Sequence, residues 1–92
     1  MPRGGPRLRT EDGSMNTVGR RVRQRRLALR LTHNALIAAL AMQTDGLWNP
    51  APQEIQHIER GIRTVTDTEL LALARALECS PCWLLTGRTS ES

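Results

Sequence analysis

The sequence predicts an all-α domain of five short helices, and three observations carry that prediction. Apolar residues recur three and four positions apart in successive segments, as at Val18 and Val22, Leu36 and Leu40, Ile55 and Ile58, and Leu70, Leu73, Ala74 and Leu77. Most of these segments begin or end at cap and stop residues: Thr32, Pro52 with Gly61, Thr66-Asp-Thr-Glu69, and Ser80-Pro81 with Gly87. No segment makes a convincing strand. A chain of 92 residues supports one modest core, without room for a sizeable catalytic cleft.

Residues 1–14 carry two Pro, three Gly and few apolar side chains, too little to bury, and read as a flexible arginine-rich arm. Arg3, Arg7 and Arg9 could follow a DNA groove, or the arm could be an unordered tail. The folded unit is expected over residues 15–88, with Asn16 or Thr17 capping helix one. That helix runs from Thr17 to about Arg30, with Val18, Val22, Leu27 and Leu29 on one side and arginines filling the rest. Arg26 falls beside the apolar stripe, where a desolvated guanidinium needs a carboxylate, and Glu59 is the natural candidate.

Thr32 is placed to cap helix two, His33 to Gln43, whose alanines and leucines favour helix. Leu36, Ala39 and Leu40 are expected inside, and Ala35, Ala38 and Ala41 are small enough for another helix to approach. Thr44-Asp-Gly-Leu-Trp-Asn49 breaks the pattern. Leu47 and Trp48 are expected to anchor this loop on the domain, with an exposed Trp48 at a partner or ligand surface as the alternative. In helix three Pro52 takes the first turn, Ile55 and Ile58 form the buried stripe and Gly61 ends the segment. Its other face carries Gln53, Glu54, Gln56, His57 and Arg60, groups suited to base edges or phosphates.

Thr66 and Glu69 match a capping box that starts helix four through Leu77. Ser80 and Pro81 start a short fifth helix bearing Trp83, Leu84 and Leu85, and residues 89–92 are expected to fray.

All thirteen basic residues are arginine and the formal net charge is +4. Nine of the arginines lie in residues 1–30 against two acids, whereas residues 31–92 hold four arginines against seven acids. The basic front suits a polyanion, although arginine usage can also follow genome composition. No apolar run approaches a membrane span and no secretory or twin-arginine signal is apparent, so a cytosolic location without membrane association is expected. Cys79-Ser-Pro-Cys82 has redox or half-zinc spacing, but two histidines and no second cysteine pair argue for structural thiols. No triad, phosphate loop or free carboxylate pair stands out. Neither an enzyme nor a cofactor or metal is expected.

Five blocks in order, Val18-Gly-Arg-Arg-Val-Arg-Gln-Arg-Arg26, Leu31-Thr-His-Asn-Ala-Leu36, Ile58-Glu-Arg-Gly61, Leu70-Leu-Ala-Leu-Ala-Arg-Ala-Leu77 and Cys79-Ser-Pro-Cys-Trp-Leu-Leu-Thr-Gly87, resemble the helix-turn-helix family of phage repressors, Cro proteins and xenobiotic-response-type regulators. The similarity covers residues 15–88 and implies a repressor-like DNA-binding domain. It implies a structural pair between Arg26 and Glu59, and it puts His33 where the family usually has a phosphate-gripping glutamine. Base-edge positions fall on Pro52, Gln53, Glu54 and His57. Pro52 has no donor, which leaves Gln53, Glu54 and His57 as the candidates. Arg60 takes a backbone-contacting position, and Arg20, Arg21, Arg23, Gln56 and Arg63 are further phosphate candidates. One departure stands out: about eight extra residues lengthen the turn between helices two and three.

The resulting expectation is a sequence-specific double-stranded DNA binder, a repressor acting as a homodimer on a palindromic operator. Trp83 and Leu84 are candidate dimer residues, with core packing of Trp83 as the alternative. The competing reading is an antitoxin or similar interaction module that meets a protein partner through the Trp48 loop, and a redox sensor using Cys79 and Cys82 is a third.

Overall fold

The computed structural model describes residues 8–89. Expectations for Arg3, Arg7 and the last three residues of the tail lie outside that span. Five helices follow one another, α1 (Gly19–Ala28), α2 (His33–Gln43), α3 (Pro52–Glu59), α4 (Asp67–Ala76) and α5 (Pro81–Thr86), and no strand occurs among the described residues. Helix α2 packs against both α3 and α4, α1 lies on α3, and α5 lies on α4. Val22, Leu36, Leu40, Ile55, Ile58, Leu73, Leu77 and Leu84 are fully buried where these helices meet. Each such Leu or Ile contributes about 1.5–3 kcal/mol of transfer free energy, enough together to hold helices too short to persist alone.

Local chemistry sets the helix starts. The Thr32 hydroxyl accepts the Ala35 N–H at 3.0 Å, and the Ser80 hydroxyl accepts that of Trp83 at 2.9 Å. At α4 the capping box is complete: Glu69 N–H donates to the Thr66 hydroxyl at 3.2 Å, and Thr66 N–H donates to the Glu69 carboxylate at 3.0 Å. Asn16 is the capping side chain for α1, its Oδ1 accepting the Gly19 N–H at 2.8 Å. Its Nδ2 donates to the carbonyls of Ile58 at 3.0 Å and Arg63 at 2.8 Å. One asparagine thus joins the start of α1 to both ends of the turn that leaves α3.

Several packing expectations are corrected. Leu27 is 52% exposed, because it falls one position past the buried row that Val22 and Arg26 form on α1. Ala35 and Ala38 lie on the exposed side of α2, so they receive no neighbouring helix. Leu47 is 91% exposed, while Trp48 alone of the loop pair packs on the core. Leu84 is fully buried, so it belongs to the core and not to a dimer surface, and Trp83 is half-buried beside it.

Within the described part of the expected flexible arm, residues 10–14 are ordered. Residues 10–14 form a turn in which Gly13 N–H donates to the Thr10 carbonyl at 2.9 Å and Ser14 N–H to the Thr10 hydroxyl at 3.0 Å. Hydrogen bonds from Thr10 and Ser14 hold the Asp12 carboxyl down to about 2. Met15 N–H then donates to the Gly61 carbonyl at 2.6 Å. Gly61, at φ +76°, packs so closely that a Cβ would meet the Ser14 hydroxyl at 2.7 Å.

Arg63 makes two 3.0 Å bonds to the Glu69 carboxylate, and this pairing, aided by the Thr66 amide and opposed by burial, holds the Glu69 carboxyl below its ordinary range. A carboxylate depressed in the folded state stabilises above its unfolded value and loses that contribution as pH falls through the folded one. Stability is therefore expected to decline as pH drops below the ordinary glutamate value of 4.5. Thermal denaturation of Glu69→Gln should start from a lower midpoint at neutral pH and converge on the parent in acid. Parallel acid limbs in the two proteins would contradict this.

Candidate nucleic-acid interface

Helix α3 opens at Pro52, a position whose missing N–H costs nothing. The preceding Ala51 has no capping side chain, and its N–H is instead taken by the Glu54 carboxylate at 3.2 Å. Glu54 also lies 3.6 Å from Arg63. Ile55 and Ile58 are at 0% exposure, which fixes the rotation of the helix about its axis. Gln53, Gln56 and Arg60 consequently project into solvent, and His57 is half-buried along the same outward row.

The back of α3 is locked by ions. The Arg26 guanidinium grips both Glu59 oxygens, Nε to Oε2 at 2.6 Å and an Nη to Oε1 at 3.1 Å, and donates to the Leu31 carbonyl at 2.8 Å. Only 9% and 5% of the two side chains is exposed. His33 adds a third member, its Nε2 lying 3.2 Å from Glu59 Oε1. One carboxylate on α3 therefore fixes its distance from both α1 and the first residue of α2.

Among the phosphate candidates, Arg20 is 89% exposed at the side chain, with a loose 3.5 Å approach to Asp12, and Arg23 and Arg60 are exposed too. Arg20 and Arg60 line the same open cleft between α1, the residue 10–14 turn and the end of α3. Arg63 is already engaged within the domain. Its guanidinium is held by Glu69, lies 6.0 Å from the Trp48 ring centroid and keeps 26% side-chain exposure, so most of its donors go to structure. Arg21 is likewise engaged, donating to the carbonyls of Thr17 at 3.3 Å and Leu84 at 3.1 Å. The residue that sequence reasoning missed in this role is Arg25, which donates to the carbonyls of Leu77 at 2.8 Å and Glu78 at 3.3 Å. Arg25 thus caps the end of α4 as Arg21 caps that of α5.

Eight residues in all, 44–51, separate α2 from α3, so the eight extra residues expected of this turn do not all lie in it. Asp45 and Gly46 take left-handed backbone angles there, φ 52° and 80°, and the Thr44 hydroxyl accepts the Trp48 N–H at 3.0 Å. Trp48 lines a shallow groove with Leu47, Thr66, Thr68 and Ala72. Both cysteines are free and half-buried, and burial raises the Cys79 thiol above its ordinary value, away from thiolate chemistry. No cluster able to hold a metal occurs among the described residues.

A helix-turn-helix module is thus defined, its second helix locked behind and polar in front. The helix-turn-helix family model matches residues 51–84, beginning at the last residue of the loop. The HTH-type transcriptional regulator DicA of Escherichia coli strain K12 is 35% identical over 71 residues, 77% of this chain and 47% of DicA, so the chain spans about half the length of that curated relative. The crystal structure of the P22 c2 repressor in complex with a synthetic operator superposes at TM-score 0.64, with 32% identity over 79% of this chain and 98% of that one. The solution structure of the P22 c2 DNA-binding domain gives 0.65 and 31%, covering 85% and 92%. The restriction-modification controller protein C.AhdI of Aeromonas hydrophila gives 0.57 and 28%, covering 76% and 94%. The chain belongs to the helix-turn-helix family of DNA-binding transcriptional regulators of the phage repressor and Cro type.

Proposed function

We propose that this chain is a sequence-specific double-stranded DNA-binding regulator of the bacterial cytoplasm, a repressor that acts as a homodimer on a palindromic operator. The observation that carries the reading is the division of α3: Ile55 and Ile58 fully buried, Glu59 clamped behind, and Gln53, Gln56, His57 and Arg60 facing outward. Such a helix fits the major groove, and paired copies about 34 Å apart would read two half-sites. Gln53 and His57 are assigned to base edges, glutamine being able to make two parallel bonds to adenine. Arg20, Gln56, Arg60 and the start of α2 are assigned to phosphates. Glu54 is assigned to hold the start of α3, since its oxygens already serve Ala51 and Arg63. For the dimer contact, Leu85 at 46% exposure and half-buried Trp83 replace Leu84.

Binding to duplexes selected from a random-sequence library tests the assignments. Gln53→Ala and His57→Ala should each weaken the selected site by about 1–3 kcal/mol while leaving binding to scrambled duplex unchanged. Arg60→Ala should weaken both and reduce the salt slope by about 1. If both base-edge variants kept full preference, the assignment would be wrong. The 91% exposed Leu47 beside the Trp48 groove would then favour the antitoxin-like protein-binding reading.

A further inference from the structure

Resting on the DNA-binding reading above, we infer that His33 grips a DNA phosphate only as an imidazolium, so that operator binding takes up a proton. The inference starts from a tautomer. Glu59 is a carboxylate whose two oxygens are held by Arg26 at 2.6 and 3.1 Å, and a carboxylate only accepts. The contact of His33 Nε2 with Glu59 Oε1 at 3.2 Å therefore fixes a hydrogen on Nε2. A neutral imidazole has one N–H, and here Glu59 uses it. The other nitrogen, Nδ1, then carries a lone pair that repels an anionic oxygen. Only the doubly protonated ring offers Nδ1–H as a donor.

Placement puts the ring at the part-exposed start of α2. His33 is the first residue of α2, its side chain is 27% exposed, and the Glu59 bond ties it to the last turn of α3. When the second helix of such a module enters the major groove, the first crosses the backbone. The Thr32 hydroxyl takes the Ala35 N–H, and helix geometry leaves the first-turn amides of His33 and Asn34 without intrahelical partners, an end of a helix that attracts phosphate.

The charged groups facing the ring are Glu59 from α3 and, behind it, Arg26 from α1, which offset each other as a pair. A phosphate arrives as uncompensated negative charge. The proton comes from solvent, settles on Nδ1 and is shared with a phosphate oxygen. Glutamine at this position would carry its N–H donors at every pH, so histidine adds proton dependence to the contact.

The test is calorimetric titration of the full chain with a duplex selected from a random-sequence library at about pH 6, repeated near pH 7 in two buffers of different ionisation enthalpy. The expected result is net uptake of up to one proton per subunit, with affinity falling by at most about tenfold per pH unit between pH 6 and pH 8. His33→Gln should abolish the uptake and flatten the profile. His33→Ala should also be flat, and weaker than the parent at pH 6. Zero uptake by the parent, or uptake that persists in His33→Gln and so belongs to His57, would overturn the inference while leaving DNA binding intact. Failure to select any duplex would sink the DNA-binding reading and this inference together.

Discussion

Glu59→Ala is expected to destabilise the domain by about 3–5 kcal/mol. The carboxylate is 5% exposed and holds two partners. Its loss leaves Arg26, itself 9% exposed at the side chain, as a buried cation whose remaining bond is to the Leu31 carbonyl. Arg26→Met should cost a similar amount for the opposite reason, because a buried carboxylate then remains between α1 and α3 with only the His33 contact. The double variant Arg26→Met/Glu59→Leu removes both charges and should regain most of the loss, since an apolar pair of similar volume carries no desolvation penalty. Denaturant unfolding of the four proteins, treated as two-state, reads this directly. A double variant no more stable than the worse single would show that packing and the His33 contact, rather than charge pairing, set the cost. The refolded double variant should also bind DNA less well, because nothing would then hold His33 to the last turn of α3.

The features legible in the sequence are those whose cause is local. Thr32, Thr66 with Glu69, and Ser80 with Pro81 mark helix starts because a cap is completed within three residues. Ile55 and Ile58 orient α3 because two isoleucines one turn apart leave little choice of buried side. Arginine partners were harder to read. Arg21 and Arg25 sit among six arginines in eleven residues, and what each does depends on carbonyls more than fifty residues later. Arg63 looks like a phosphate ligand in sequence, yet Glu69 six positions on claims it. The pairing of Arg26 with Glu59 could be anticipated because an arginine beside an apolar stripe demands a partner. Nothing local announced His33 as its third member. The lengthened loop misled in a different way: Leu47 and Trp48 are equally apolar as neighbours, but the left-handed turn at Asp45 and Gly46 brings Trp48 onto the core and leaves Leu47 outside.

Gly19→Ala should reverse the usual sign of a glycine-to-alanine change within a helix. At an ordinary helical position alanine is favoured by about 0.5–1 kcal/mol. At Gly19 a Cβ would stand 2.2 Å from the Ile58 carbonyl oxygen, 3.0 Å from that of Glu59 and 3.1 Å from Asn16 Oδ1. Two of these are backbone atoms, and no rotamer moves them aside. Relief requires the last turn of α3 to withdraw from α1. That withdrawal stretches the Asn16 bond to Ile58 and pulls Glu59 away from Arg26, so the strain reaches the clamp that orients the outward row. A loss of about 3 kcal/mol is expected, at the upper end of ordinary overpacking. Gln24→Ala, on the exposed side of the same helix, is the control and should change stability by no more than about 0.5 kcal/mol. Affinity for a selected duplex should fall in Gly19→Ala even where it remains folded, because Gln53 and His57 move with the helix. An unchanged or raised unfolding midpoint would mean that α1 and α3 separate without penalty, and the proposed rigidity of the recognition helix would have to be abandoned.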